Sequence, residues 1–237
     1  MSSAPGSVIQ IEVDDGALPV HVYAPESGSG PGIVLVQEIF GVSPYIAGRA
    51  ADLAAAGYLV HVPDLYWRLD EPELDESAPD LLQQAMGRMS ALPWEHAVAD
   101  TAAAVRNLRA TPEVTGPIGL VGFCYGGGVA FNVAAIEHVD ALVSYYGSAL
   151  PNLLELAPAV TAPSLHHVGE ADSYLPTAAV AAIRDAVTRP GVELHTYPGA
   201  DHAFDNTRPE FHHAEASALA WQRTLAFLDT HLARPAA

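Results

Sequence analysis

The sequence predicts an α/β fold, with a mostly parallel sheet of about eight strands and helices on both faces. Three observations carry this. Short apolar runs alternate along the chain with stretches of helical period, the pattern of strands buried on both faces and joined by crossover helices. The chain has 237 residues, half of them apolar, which is enough for one large core. Finally, Ile118-Gly119-Leu120-Val121 runs through Gly122-Phe123-Cys124-Tyr125-Gly126-Gly127 into a helix-like stretch over 128–136. That is a strand, a sharp turn and a helix.

Residues 8–13 and 20–23 alternate apolar and polar side chains around Asp14-Asp15-Gly16, which reads as an antiparallel hairpin at one edge. Short buried strands follow over 32–36 and 58–62, the second bounded by Gly57 and Pro63, with a helix over 45–56 between them. Residues 64–93 break the rhythm, because acidic residues and prolines crowd around Leu81-Leu82-Gln83-Gln84-Ala85-Met86. Two readings of that excursion are open: a lid or pocket wall, or a solvated connection with one amphipathic helix. A helix over 97–108 ends before Pro112, and the strand over 118–121 leads into the turn. Strands over 139–145, 164–168 and 193–197 complete the sheet, and 178–187 and 214–231 read as amphipathic helices. His166 and His167 fall within a strand, where one is expected to pack and the other to lie on the opposite face. No repeat, low-complexity tract or linker interrupts the pattern, so a single domain over 1–237 is expected.

Composition narrows the function. No apolar run approaches the roughly 20 residues of a membrane helix, and Met1-Ser2-Ser3-Ala4-Pro5-Gly6 lacks the basic and apolar parts of a secretory signal. The lone cysteine has no internal disulfide partner and fits a reducing cytoplasm. A formal charge of -18 argues against nucleic acid or anionic membranes as partners. All ten basic residues are arginine, which excludes a lysine Schiff base and a lysine-type phosphate loop. The expectation is a cytoplasmic monomer or small homo-oligomer.

The chemistry centres on Cys124. A residue at the tip of so sharp a turn needs neighbours without bulky Cβ substituents, and glycine supplies that freedom. A thiol attacks an acyl carbon as thiolate, and the start of the following helix favours an anion there. Taken alone, Cys124 also fits a buried inert thiol or a redox sensor. A base and its orienting acid follow in the order this architecture uses: Gly169-Glu170-Ala171-Asp172 after one strand and Gly199-Ala200-Asp201-His202-Ala203-Phe204 after another. Asp172 would orient His202, and His202 would exchange protons with Cys124 and the leaving group. The carboxyl ends of parallel strands bring such loops together. Gln37-Glu38-Ile39-Phe40-Gly41 follows the first buried strand, where the amides of Ile39 and Tyr125 would form an oxyanion hole. Glu38 is anomalous there, because a carboxylate repels developing negative charge; one reading turns it away to solvent or an arginine. His212-His213 with Glu215 lacks metal-ligand spacing, and no metal or organic cofactor is expected.

These segments, with Pro63-Asp64-Leu65-Tyr66 and Tyr145-Tyr146-Gly147, resemble the dienelactone hydrolase family of α/β-hydrolases across most of the chain. The resemblance implies an α/β-hydrolase fold and a Cys124-His202-Asp172 triad. It also implies a role for Glu38: held near the resting thiol, it takes up the thiol proton when substrate binds. Phe40, Tyr146, Met86 and Phe204 would line the substrate pocket. The family's two carboxylate-binding arginines fall at about Leu82 and at Asn206 and are missing; Arg88 and Arg208 lie nearby, but a six-residue displacement on a helix changes the face. Asp205 would further disfavour an anionic ligand, and the serine that usually follows the histidine is Ala203. The expected activity is hydrolysis of carboxylic esters or lactones through a covalent acyl-enzyme, on a more neutral substrate than a diene lactone acid. Thioester hydrolysis or acyl transfer on the same triad, and a non-catalytic scaffold binding a small molecule, are the alternatives.

Overall fold

The computed structural model describes residues 6–69, 71–72 and 74–233. Residues 1–5, on which the expectation about a secretory signal rests, lie outside the described residues, as do 70 and 73 within the 64–93 excursion. In chain order the strands are β1 (Ser7–Val13), β2 (Gly16–Tyr23), β3 (Gly30–Val36), β4 (Leu59–Pro63), β5 (Val114–Phe123), β6 (Ala141–Tyr145), β7 (Ser164–Gly169) and β8 (Val192–Tyr197). They form one eight-stranded sheet in the order β1-β2-β4-β3-β5-β6-β7-β8. The β1–β2 and β2–β4 pairs are antiparallel and the other five are parallel. The mostly parallel sheet expected from the alternation of elements is therefore present, with its hairpin at one edge.

The helices are α1 (Pro44–Ala55), α2 (Leu81–Ala91), α3 (Trp94–Ala110), α4 (Tyr125–Ala134), α5 (Thr177–Val187) and α6 (Ala214–Leu232). Every residue of β3, β4, β6 and β7 is buried, so both faces of the central sheet are covered. Side chains three apart on a strand point to opposite faces. A Cβ on Gly119 would meet Leu232 of α6, whereas one on Gly122 would meet the backbone of α4. Those two helices therefore cover opposite faces.

Several boundaries differ from the sequence pattern for local reasons. Helix α3 begins at Trp94 rather than 97, with Pro93 at its N-cap. Helix α4 begins at Tyr125 rather than 128, because Gly126 and Gly127 are already helical. Strand β5 starts four residues early, where Val114 pairs with Gly30. His166 and His167 are both fully buried, one under each face. His167 bridges the Tyr197 hydroxyl (2.7 Å) and Thr224 Oγ1 (3.0 Å), and burial, then the neighbouring positive charges, push its pKa well down. Among the described residues no helix is long and apolar enough to cross a membrane.

Candidate active site

The turn after β5 places Cys124 at φ 53°, ψ -116°, a backbone conformation that side-chain-bearing residues rarely adopt. Its neighbours explain the glycines. A Cβ on Gly122 would sit 2.1 Å from the Gly126 carbonyl oxygen, and one on Gly126 would sit 2.4 Å from that of Gln37. These are backbone contacts that no side-chain rotation relieves. The Cys124 amide donates to the Tyr145 carbonyl (3.0 Å), which ties the turn to the end of β6. The other two non-glycine residues with positive φ among those described, Tyr146 and Ala203, also flank this site. Strain is concentrated where the reacting groups converge.

The loops after β7 and β8 bring two further side chains to the sulfur. His202 Nε2 lies 3.0 Å from Cys124 Sγ, and His202 Nδ1 lies 2.8 Å from Asp172 Oδ2. The amides of Tyr174 (2.8 Å) and Leu175 (3.2 Å) donate to Asp172 Oδ1, leaving the other oxygen for the imidazole. The His202 ring sits between Tyr146 (5.2 Å, edge-on) and Tyr174 (4.7 Å). Burial alone would lower its pKa; a negative sulfur and the Asp172 bond more than offset that and raise it to about 10. The arrangement favours an imidazolium at His202, within hydrogen-bond reach of the sulfur.

Glu38 lies in the same cleft but not on the sulfur. Asn206 Nδ2 donates to its Oε2 (2.8 Å) and the Tyr146 hydroxyl to its Oε1 (3.5 Å). The resemblance implies a Glu38 held near the resting thiol; it lines the same cavity as Cys124, and its hydrogen bonds go to Asn206 and Tyr146. This departs from the reading that turns Glu38 to solvent, since the residue is 1% exposed. Burial, the largest influence, raises its pKa to about 7 against the opposing Asn206 bond and His202 charge. The loop itself is pinned: Leu65 N donates to Gln37 Oε1 (3.1 Å) and the Tyr66 hydroxyl to the Ile39 carbonyl (3.0 Å). Ile39 and Tyr125 both line the cleft, and Tyr125 opens α4, so its amide is one of the helix's unpaired first donors.

The cavity over Cys124 has a volume of about 620 Å³. Leu82, Met86, Met89 and Leu92 of the 64–93 excursion line one side of it. Phe40 and Phe211, with ring centroids 6.1 Å apart, and Trp94 extend it. Phe40 and Met86 both line the cavity. Tyr146 and Phe204 do not: both are fully buried beneath the triad, packed on each other at 5.2 Å, and neither lines the cavity. Tyr146 meets the His202 ring edge-on, and Phe204 backs Tyr146.

Neither nearby arginine reaches the cleft. Arg88 pairs with Glu71 Oε2 (3.0 Å) and the Pro72 carbonyl, and Arg208 with Glu210 Oε1 (2.8 Å) and Glu76. Asp205 is not a repelling charge at the mouth of the pocket. It is fully buried and held by Arg49 through two bonds of 2.8 Å, by the Tyr45 hydroxyl (2.6 Å) and by Ser217 Oγ (2.7 Å). Among the described residues the lining contains Glu38, Asp201 and Glu210 but no arginine. His213 accepts from Ala216 N (3.3 Å) as the N-cap of α6, which accounts for that histidine without a ligand. Sequence reasoning misses Asn206 as the partner of Glu38 and Tyr174 as the cover of His202. The first has no sequence signature beyond the absent arginine. The second follows Asp172 at the spacing of an Asx turn.

Residues 18–232 match the dienelactone hydrolase family. The chain is 34% identical over 215 residues to carboxymethylenebutenolidase 1 of Cupriavidus pinatubonensis, covering 90% of this chain and 92% of that protein. It is 37% identical over 209 residues to the carboxymethylenebutenolidase of Pseudomonas putida, covering 87% and 89%. A dienelactone hydrolase-like protein from Klebsiella pneumoniae superposes with a TM-score of 0.80 at 28% identity, covering 94% of this chain and 97% of the other. The chain belongs to the dienelactone hydrolase family and has the α/β-hydrolase fold.

Proposed function

We propose that this member of the dienelactone hydrolase family hydrolyses carboxylic esters or lactones through a covalent acyl-enzyme on Cys124. The observation that carries the reading is the unbroken line from Sγ through His202 to Asp172, with bonds of 3.0 and 2.8 Å, at the floor of an apolar cavity. Cys124 thiolate attacks the carbonyl carbon, and the oxygen takes up the negative charge against the amides of Ile39 and Tyr125. As the tetrahedral intermediate collapses, His202 Nε2–H protonates the departing alkoxide, leaving a thioester and a neutral imidazole. That imidazole then removes a proton from water. Hydroxide adds to the thioester, the carbon–sulfur bond breaks, and the carboxylic acid leaves with the thiolate restored. Asp172 holds the imidazole in the tautomer that both steps use.

The relatives are named for a carboxylate-bearing lactone, and this chain's cavity suits a different one. Its walls are apolar and aromatic, its charged lining residues other than His202 are acidic, and both nearby arginines are committed elsewhere. A neutral ester or lactone therefore pays less desolvation than an anionic one.

Hydrolysis of p-nitrophenyl acetate by the wild type and Cys124→Ala tests the first claim. The variant is expected to lose on the order of 10³-fold or more in kcat/KM, and equal turnover by both would refute the assignment. Paired kinetics on a neutral lactone and its carboxylate-bearing counterpart test the second, with the neutral substrate preferred.

A further inference from the structure

The imidazole of His202 has two aromatic neighbours of opposite kind. Tyr146, edge-on at 5.2 Å, is fully buried and does not line the cavity. Tyr174, at 4.7 Å and tilted by 57°, lines the cavity and is 55% exposed. Among the described residues no other phenylalanine, tyrosine or tryptophan is exposed. An aromatic ring that is half open and packed on a reacting group offers its free surface to whatever enters the cleft. Its backbone, by contrast, is fixed. The Tyr174 amide donates to Asp172 Oδ1 (2.8 Å), and the next residue, Leu175, is buried. The turn that sets Asp172 against His202 is therefore the turn that presents the Tyr174 ring.

What the ring meets follows from the reaction, and this step rests on the ester-hydrolase reading above. In the tetrahedral intermediate the carbonyl oxygen faces the amides of Ile39 and Tyr125, and the ester oxygen comes within about 3 Å of His202 Nε2 to take its proton. The substituent on that oxygen then continues along the imidazole, and the aromatic neighbour of the imidazole that lines the cavity is Tyr174. We propose that Tyr174 is a specificity-determining residue for the alcohol half of the substrate, and that the enzyme prefers esters of aromatic alcohols, whose ring packs on Tyr174 as the bond to the acyl carbon breaks. In that step the bond from Sγ to the acyl carbon has already formed. The carbon–oxygen bond breaks with its electron pair on the phenolic oxygen, the Nε2 proton goes to that oxygen, and a neutral phenol departs. Its neutrality suits this side of the cleft, where Asp201 also lines the cavity with its Oδ1 accepting from the His202 amide (2.7 Å). A phenolate would meet that carboxylate as a like charge.

The test compares kcat/KM for phenyl acetate and cyclohexyl acetate, two six-membered rings that differ in their π face. Phenyl esters are intrinsically more reactive, so the quantity read is how the phenyl-to-cyclohexyl ratio changes on substitution, in which that reactivity cancels. Tyr174→Leu keeps apolar bulk and the amide that Asp172 uses, and the ratio is expected to fall roughly threefold to tenfold. Tyr174→Phe is expected to stay within about twofold of the wild type. The same fall is expected with the two butyrates, because the acyl chain does not meet this ring. An unchanged ratio in Tyr174→Leu, or an equal loss on both alcohols as a merely structural role would give, overturns the proposal. A second measurement needs no turnover: binding of phenol and of cyclohexanol, followed by the His202 imidazole resonances in NMR spectra. The Kd for phenol relative to cyclohexanol is expected to rise by the same factor in Tyr174→Leu, and an unchanged relative Kd overturns the proposal. A protein that turns over neither ester yet binds phenol in this Tyr174-dependent way would refute the hydrolase reading and uphold the role of Tyr174.

Discussion

The sulfur side of the cleft and the wall that faces it are held in different ways. Cys124, Asp172 and His202 stand on turns at the ends of β5, β7 and β8, where strand pairing fixes the backbone and glycines admit approaches that no Cβ tolerates. The facing wall is one side of α2, a helix with no side-chain cap, whose Leu82 and Met86 are 48% and 37% exposed. On the first side the geometry lies in the main chain; on the second it lies in side chains that point into a hollow. Chemistry built into the backbone cannot drift without unfolding, whereas a wall of side chains can be retuned one residue at a time. That contrast makes substitutions on the two sides differ in kind.

The sharpest way to break the comparison is to add one carbon on the sulfur side. In Gly126→Ala the new Cβ would lie 2.4 Å from the Gln37 carbonyl oxygen and 2.5 Å from that of Val36. Both are backbone atoms of the strand and loop that carry Glu38 and Ile39, so relief requires moving the oxyanion loop itself. Urea denaturation is expected to show a loss of more than about 3 kcal/mol, and a variant of native stability would mean that the turn is not the rigid element described.

This rigidity is also why the sulfur side is legible in sequence. A strained turn demands glycines at fixed offsets, and the acid and base must follow on later strand ends, so Gly122, Cys124, Gly126, Asp172 and His202 can be read in order. The sheet is legible for a related reason, because strands buried on both faces leave continuous apolar runs. The pocket is not. Tyr146 and Phe204 are aromatic residues beside the triad, and nothing in sequence distinguishes a ring that lines a cavity from one that packs beneath it. The ring at Phe211 joins the wall by a loop whose course no local pattern dictates. Asp205 reads as a charge at the pocket mouth until Arg49, 156 positions away, is seen to hold it.

Glu38 lies between the two regimes, on a pinned backbone but with a side chain that has a choice of partners. Its pKa, raised by burial to about 7, predicts how stability depends on pH. A carboxyl whose folded pKa exceeds its unfolded value near 4.5 favours the fold fully below that value. The contribution is lost as pH rises through about 7, where the buried group must ionise. Glu38→Gln stays neutral and keeps an acceptor for Asn206. It is expected to match the wild type at pH 4.5 and to exceed it by about 1–3 kcal/mol at pH 8. Thermal denaturation at the two pH values measures this directly, and a variant less stable at pH 8 than the wild type would reverse the sign assigned to burial.

The smallest effect tests the other side of the cleft with the same chemical change. Gly87 lies inside α2, between the pocket residues Met86 and Met89, and a Cβ there would meet nothing within 4 Å. Its φ is not in the left-handed region, so alanine fits the conformation already present. Glycine within a helix is less favourable than alanine by roughly 0.5–1 kcal/mol, because the unfolded chain loses more freedom on folding. Gly87→Ala is therefore expected to stabilise α2 by up to about that amount, which native-state hydrogen exchange in α2 resolves even if the global transition does not move. Turnover should stay within about twofold, since no reacting group touches this position. One methyl group that unfolds the sulfur side and firms the facing wall would separate a site written in the backbone from a pocket written in side chains.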